Sequence, residues 1–197
     1  MLSSALLRPR FPAWHFALCL LVALPAAGLH AALTLAPLFS DGAILQQGKS
    51  VPVWGQATPG ERVTVQFGGQ TVTTLADATG HWLVLLEPMA PTLTGTDLTA
   101  TGETTLTRHD VLVGDVWLCA GAEDLETPVA QAAEADRESA RPPNRLLRHF
   151  SVAHAQASAP LDPAPATWQS AGPTTVGGFS ATGHAFAHQL QPRLGIP

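Results

Sequence analysis

The sequence has no tyrosine, one lysine (Lys49), two cysteines and few charged residues, 13% of the chain. Two cysteines, Cys19 and Cys119, cannot make a disulfide framework. Low charge beside 46% apolar residues excludes an intrinsically disordered chain and suits a packed globular one. Ten basic residues against fifteen acidic ones give a net charge of −5, which excludes a basic nucleic-acid-binding surface. Long helices are disfavoured by seventeen Gly and seventeen Pro in 197 residues. The apolar run at 17–24 is far shorter than the ~20 residues that span a bilayer.

That run belongs to an export signal. Arg8 and Arg10 supply the basic start, residues 17–24 the apolar core, and Ala26-Ala27-Gly28 and Ala31-Ala32 the small-residue exit. Residues 1–32 are therefore assigned to a signal peptide cleaved between 28 and 32, with no membrane association afterwards. Cleavage removes Cys19 and leaves Cys119 single, which is expected to be buried, with pairing between chains as the alternative.

Residues 33–112 read as an all-β sandwich. Val51-Pro52-Val53-Trp54-Gly55 and Arg62-Val63-Thr64-Val65-Gln66-Phe67 alternate, and Gly68-Gly69 joins the second run to Gln70–Leu75 in a tight hairpin. Asp77-Ala78-Thr79-Gly80 is a turn, followed by the strand His81–Leu86. Gly102-Glu103 turns Asp97–Thr101 into Thr104–Thr107. Val63, Val65 and Phe67 share a face, as do Trp82, Val84 and Leu86; with Trp54 these are the expected core. Sugar stacking is the competing role for Trp54 and Trp82.

The pattern then changes. Residues 111–119, Val-Leu-Val-Gly-Asp-Val-Trp-Leu-Cys, are nearly continuous in apolar character, which suits a strand covered on both faces in an α/β sheet. Ala120-Gly121 and a helix start at Ala122-Glu123-Asp124-Leu125-Glu126 follow. Such a strand–turn–helix step is where α/β enzymes place a nucleophile or bind an anion. A short solvated helix is expected within Ala130–Ala140, ended by Pro142-Pro143. Leu146–Val152 is a candidate second α/β strand, and Ala157–Thr167, with Pro160, Pro163 and Pro165, reads as loop.

Pro37-Leu38-Phe39-Ser40-Asp41-Gly42-Ala43-Ile44-Leu45-Gln46, Val51–Gly55, Pro59-Gly60-Glu61 and Asp110–Cys119 resemble the sialate O-acetylesterase family. Trp168 and residues 175–183 resemble a later block of it. The resemblance implies an exported or lysosomal protein with a β-sandwich ahead of an SGNH-type α/β/α hydrolase domain. It also implies hydrolysis of acetyl esters on sialic acids or related carbohydrates. By this reading 113–197 is an incomplete SGNH-like segment. The family reads Gly-Gln-Ser-Asn-Met where this chain has Gly121-Ala122-Glu123-Asp124-Leu125. Glu123 stands at the Ser nucleophile position and Asp124 at the Asn position, and two carboxylates there oppose a developing oxyanion. The family's catalytic His and its acidic neighbour have no counterpart before Pro197, so the chain is expected to be truncated and non-catalytic, with no catalytic residue of its own. Glu123, Asp124 and Glu126 are better explained as favourable charge at a helix N-terminus than as a new site.

His184 and His188 stand one helical turn apart, a zinc-ligand spacing, but the general-base Glu of zinc proteases is absent. Packing through Phe186 and Leu190 is the preferred reading of that helix, and no metal and no cofactor are expected. Two alternatives stay open: a secreted β-sandwich that binds glycan or protein, and an esterase completed by another chain or reading frame. The sequence leaves the oligomeric state open.

Overall fold

The computed structural model describes residues 31–121, 125–153, 156, 158 and 166–197. Residues 1–30 of the segment read as a signal peptide, the positions Glu123 and Asp124, and most of the loop within 157–167 lie outside the described residues.

Eight strands fill residues 34–114: β1 (Thr34–Leu35), β2 (Ile44–Gln46), β3 (Val51–Gln56), β4 (Arg62–Phe67), β5 (Gln70–Leu75), β6 (His81–Leu86), β7 (Thr96–Thr101) and β8 (Thr105–Gly114). They form a three-stranded sheet, β1-β3-β6, and a five-stranded sheet, β2-β8-β7-β4-β5. Pairing is antiparallel except between β2 and β8. The Gly68-Gly69 turn has φ of 57° and 79°, a left-handed pair that side chains resist and glycine adopts freely.

Alternation decides what is inside. Val51 and Val53 of β3, Val63, Val65 and Phe67 of β4, Trp82, Val84 and Leu86 of β6, and Val111 and Val113 of β8 all join one buried cluster drawn from both sheets. Each such side chain contributes about 1.5–3 kcal/mol on burial. Trp54 is the exception to the expected core. It has the opposite parity to Val53, so it lies on the outer face, 36% exposed, with its ring edge-on to Phe39 at 4.8 Å. Gly55 faces inward where β1 crosses, and a Cβ there would strike the carbonyl oxygen of Thr34.

The run 111–119 is not one strand covered on both faces. Val111, Leu112 and Val113 are buried at the end of β8, between β7 and β2. Beyond Gly114 the chain leaves the sheet, and Val116, Trp117 (59%) and Leu118 (91%) are exposed. Two separate features, a buried strand end and an exposed apolar loop, are contiguous in sequence and mimic one buried strand.

Residues 125–197 form a smaller layer. It contains α1 (Ala135–Ser139), β9 (Asn144–His149), β10 (Gln169–Ala171) and α2 (Ala181–Leu194). Among the described residues β9 does not enter a parallel sheet and pairs antiparallel with β10 alone. Val129, Leu147, Ala171, Val176 and Phe179 make a second, small core. Helix α2 buries Gly183 and His184, while Phe186 is exposed and meets Trp117 edge-on at 5.3 Å. The expected packing through Phe186 is thus corrected, because the residues turned to the layer are those two positions and Ala187.

Arg148 joins the layer to the sheets. Its side chain is 1% exposed; Nη1 donates to the carbonyls of Gly42 (2.7 Å) and Asp110 (2.6 Å), and Nη2 to Asp110 Oδ2 (2.9 Å). Trp168 adds a second tie, Nε1 donating to Leu38 O at 2.8 Å.

Candidate functional site

The end of β8 delivers the chain to the position where the sequence places catalytic chemistry. Asp115 N donates to Pro197 O (2.9 Å), and Asp115 Oδ1 accepts from Gln47 Nε2 (2.9 Å) and Gln46 Nε2 (3.3 Å). Residues 116–121 then run without regular structure toward Glu123 and Asp124, which lie outside the described residues. The chain is described again from Leu125 and lies against the approach to α2. Val129 N donates to Phe179 O (2.8 Å) and Ala181 N to Thr127 O (2.9 Å). Ser180 caps α2, its Oγ accepting from Gly183 N at 3.2 Å. A Cβ at Gly183 would lie 3.7 Å from Cys119 Sγ, so this thiol stands beside the start of α2. Cys119 is free and exposed, not buried as expected, because it lies in the loop that leaves the sheet rather than in a strand.

A second constellation forms where α1, β9 and α2 meet. Glu138 pairs with Arg141 through Oε2–Nε (2.6 Å) and Oε1–Nη2 (3.0 Å), and its Oε2 also meets His184 Nε2 at 3.2 Å. The His149 ring stacks on Phe179 (centroids 4.1 Å apart, planes at 7°) and faces His184 at 5.9 Å; His188 lies 5.8 Å from His184. The hydrogen bond from Arg141, helped by His184, holds the Glu138 carboxyl below its usual range. Burial pushes His184 down against the pull of Glu138. Burial, with His184 beside it, pushes His149 down to about 4. A cavity of about 300 Å³ opens here, lined by Glu138, Arg141, Asn144, Leu147, His184 and His188 among others.

This cavity can accept a small polar ligand, and among the described residues neither Ser nor Cys lines it. Among the described residues no group of three His, Cys, Asp or Glu is placed to share a metal ion. Sequence reasoning named His184 and His188 as a pair but missed Glu138, Arg141 and His149 as their neighbours. Those contacts join residues up to 46 apart in the chain, and no local spacing signals them.

A hydroxyl between a carboxylate and an imidazole does occur elsewhere. Thr79 Oγ1 lies 2.6 Å from Asp77 Oδ1 and 2.8 Å from His81 Nδ1. A nucleophile triad needs the imidazole in the middle, so that it takes the hydroxyl proton while the acid holds its far side. Here the hydroxyl is in the middle. Asp77 Oδ1 also accepts from the backbone N–H of Thr79 (2.7 Å) and His81 (3.1 Å), which marks an exposed hairpin turn.

Of the two tryptophans considered for sugar stacking, Trp82 is buried and Trp54 is partly exposed. Trp54 pairs across the strands with Leu83, and Pro52 with Leu85, all on the outer face of the three-stranded sheet.

No protein-family model matches the chain. It is similar to the sialate O-acetylesterase of Rattus norvegicus, with 32% identity over 200 aligned positions covering 91% of this chain and 37% of that protein. The Mus musculus sialate O-acetylesterase is 36% identical over 121 positions, covering 56% of this chain and 22% of that protein. Among solved structures, the crystal structure of a carbohydrate acetylesterase from Xanthomonas citri superposes with a TM-score of 0.79. It is 38% identical, covering 83% of this chain and 38% of that one. The chain spans between about a fifth and somewhat over a third of the length of these relatives. Sequence and fold point the same way, and the chain belongs to the sialate O-acetylesterase family.

Proposed function

We propose that this chain is an exported member of the family that meets acetylated carbohydrate and does not hydrolyse acetyl esters by itself. The observation that carries the reading is Glu123, with Asp124 beside it, at the position the family resemblance assigns to the Ser nucleophile. A carboxylate can act as a nucleophile in some hydrolases. Acyl transfer, however, also needs donors aimed at the developing oxyanion, and two negative groups beside that oxygen raise the barrier. The two sheets that share one core support reading residues 33–112 as a sandwich, and the likeness to a solved carbohydrate acetylesterase supports reading 113–197 as an SGNH-like segment.

A second reading, a module that binds glycan without chemistry, is favoured by the uncharged outer face of Pro52, Trp54, Leu83 and Leu85. Calorimetric titration of the full chain with an O-acetylated sialic acid, run beside an acetate assay, tests both readings. Binding without acetate release is expected. Binding that Trp54→Ala abolishes favours the second reading, and acetate release contradicts both. Export rests on Arg8, Arg10 and the apolar run at 17–24. Material recovered outside the cytoplasm should begin between residues 29 and 33 by N-terminal sequencing, and an intact Met1 on that material contradicts export.

A further inference from the structure

Two imidazoles in the small layer each carry a nitrogen that no partner satisfies. His149 Nε2 and His184 Nδ1 are buried without a hydrogen-bond partner. A neutral ring tolerates this, because its second nitrogen can remain an unpaired acceptor. A protonated ring has two N–H donors and needs an acceptor at each. Around His149, Nε2 has no partner among the described residues, the Phe179 ring covers one face of the imidazole, and α2 brings the ring of His184 to 5.9 Å. Around His184, α1 offers Glu138, already engaged with Arg141, and that carboxylate reaches Nε2 alone. Protonating both rings would therefore place two like charges 5.9 Å apart, one of them with no counter-ion, in the packing that holds β9 to α2.

We propose that His149 and His184 form an acid-released latch: neutral, they close β9 against α2, and protonated, they part so that the α1–β9–α2 layer opens while the two-sheet body stays folded. This goes beyond the proposed function and stands or falls independently of it. The histidines of the two-sheet body, His81 and His109, are exposed, and His109 lies 3.0 Å from Asp97 Oδ1, where a proton strengthens the contact, so acid does not open that part through them. The direction follows from linkage. The closed layer holds His149 near 4 against 6.5 when opened, so the open form binds the proton better. Closure is fully favoured above about pH 6.5 and is progressively lost as the pH falls toward 4. At pH 5 His149 alone shifts the balance toward opening by about thirtyfold.

Hydrogen exchange of the full chain, expressed as protection factors from pH 7.5 to 4.5, tests the latch. Peptides covering 144–150 and 181–194 should lose at least tenfold in protection between pH 6.5 and 5, while peptides from β4 and β7 keep theirs. His149→Phe retains the stack on Phe179 without a titrating nitrogen and should move the loss at least one pH unit lower. Should that variant not fold, the ring of His149 in the native chain is followed by nitrogen NMR. It should stay neutral in the closed form down to pH 5. Unchanged protection to pH 4.5, the same midpoint in His149→Phe, or a closed-state ring titrating near 6.5 would each overturn the proposal.

Discussion

Arg148 is a single side chain that fixes where the small layer sits. Its guanidinium satisfies two backbone carbonyls from two different segments, those of Gly42 and Asp110, and Asp110 itself sits at φ 55°, a left-handed conformation unusual for a non-glycine residue. The Asp110 side chain is 58% exposed, so the ion pair itself contributes little; the carbonyls matter more. Arg148→Met fills the same space and leaves both carbonyls unsatisfied, and should cost about 2–3 kcal/mol in denaturant unfolding. Arg148→Lys should recover only part of this, because an ammonium lacks the planar fork that reaches both carbonyls and the carboxylate. A loss below about 0.5 kcal/mol for Arg148→Met would remove Arg148 from this role. Nothing local in the sequence marks Arg148 among Arg145, Leu146, Leu147 and His149, since the partners that tie the layer to the sheets lie 38 and 106 residues away and only Arg145 O, which takes its Nε, is near in sequence.

Legibility at the scale of elements follows from how local the determining physics is. Strands β3 to β7 and the first residues of β8 could be read because alternation and glycine turns act within a few residues, whereas the last residues of β8 were assigned to a separate strand. Parity, read strictly, would also have put Trp54 outside, since Val51 and Val53 fix the inner face of β3. The run at 111–119 misled because apolar content does not distinguish a covered strand from an exposed apolar loop. Helix α2 was legible as a helix, but not the face it buries, because a small residue and a histidine, Gly183 and His184, take the place that hydrophobicity assigns to Phe186. The candidate site was the least legible part. The Glu138–His184 contact and the His149–Phe179 stack are set by how α1, β9 and α2 meet, not by any motif.

In the whole molecule two cores of unequal size are joined by Arg148 and Trp168. The larger gathers nineteen buried residues from both sheets, the smaller five from the layer, and local opening free energy scales with such burial. Limited proteolysis of the full chain at neutral pH should therefore leave a resistant fragment ending near residue 112–120, with cuts concentrated between 130 and 170. Equal protection of both parts with a single cooperative unfolding transition would contradict that inequality. The family assignment rests on identity and on the structural superposition, whereas the proposed absence of turnover rests on Glu123 and Asp124. The most direct measurement is the time course of acetate release from an O-acetylated sialic acid by the purified chain and by Glu123→Ser. The account predicts background release from both, because Asp124 still sets a carboxylate beside the developing oxyanion in Glu123→Ser. Saturable release by either protein would contradict it.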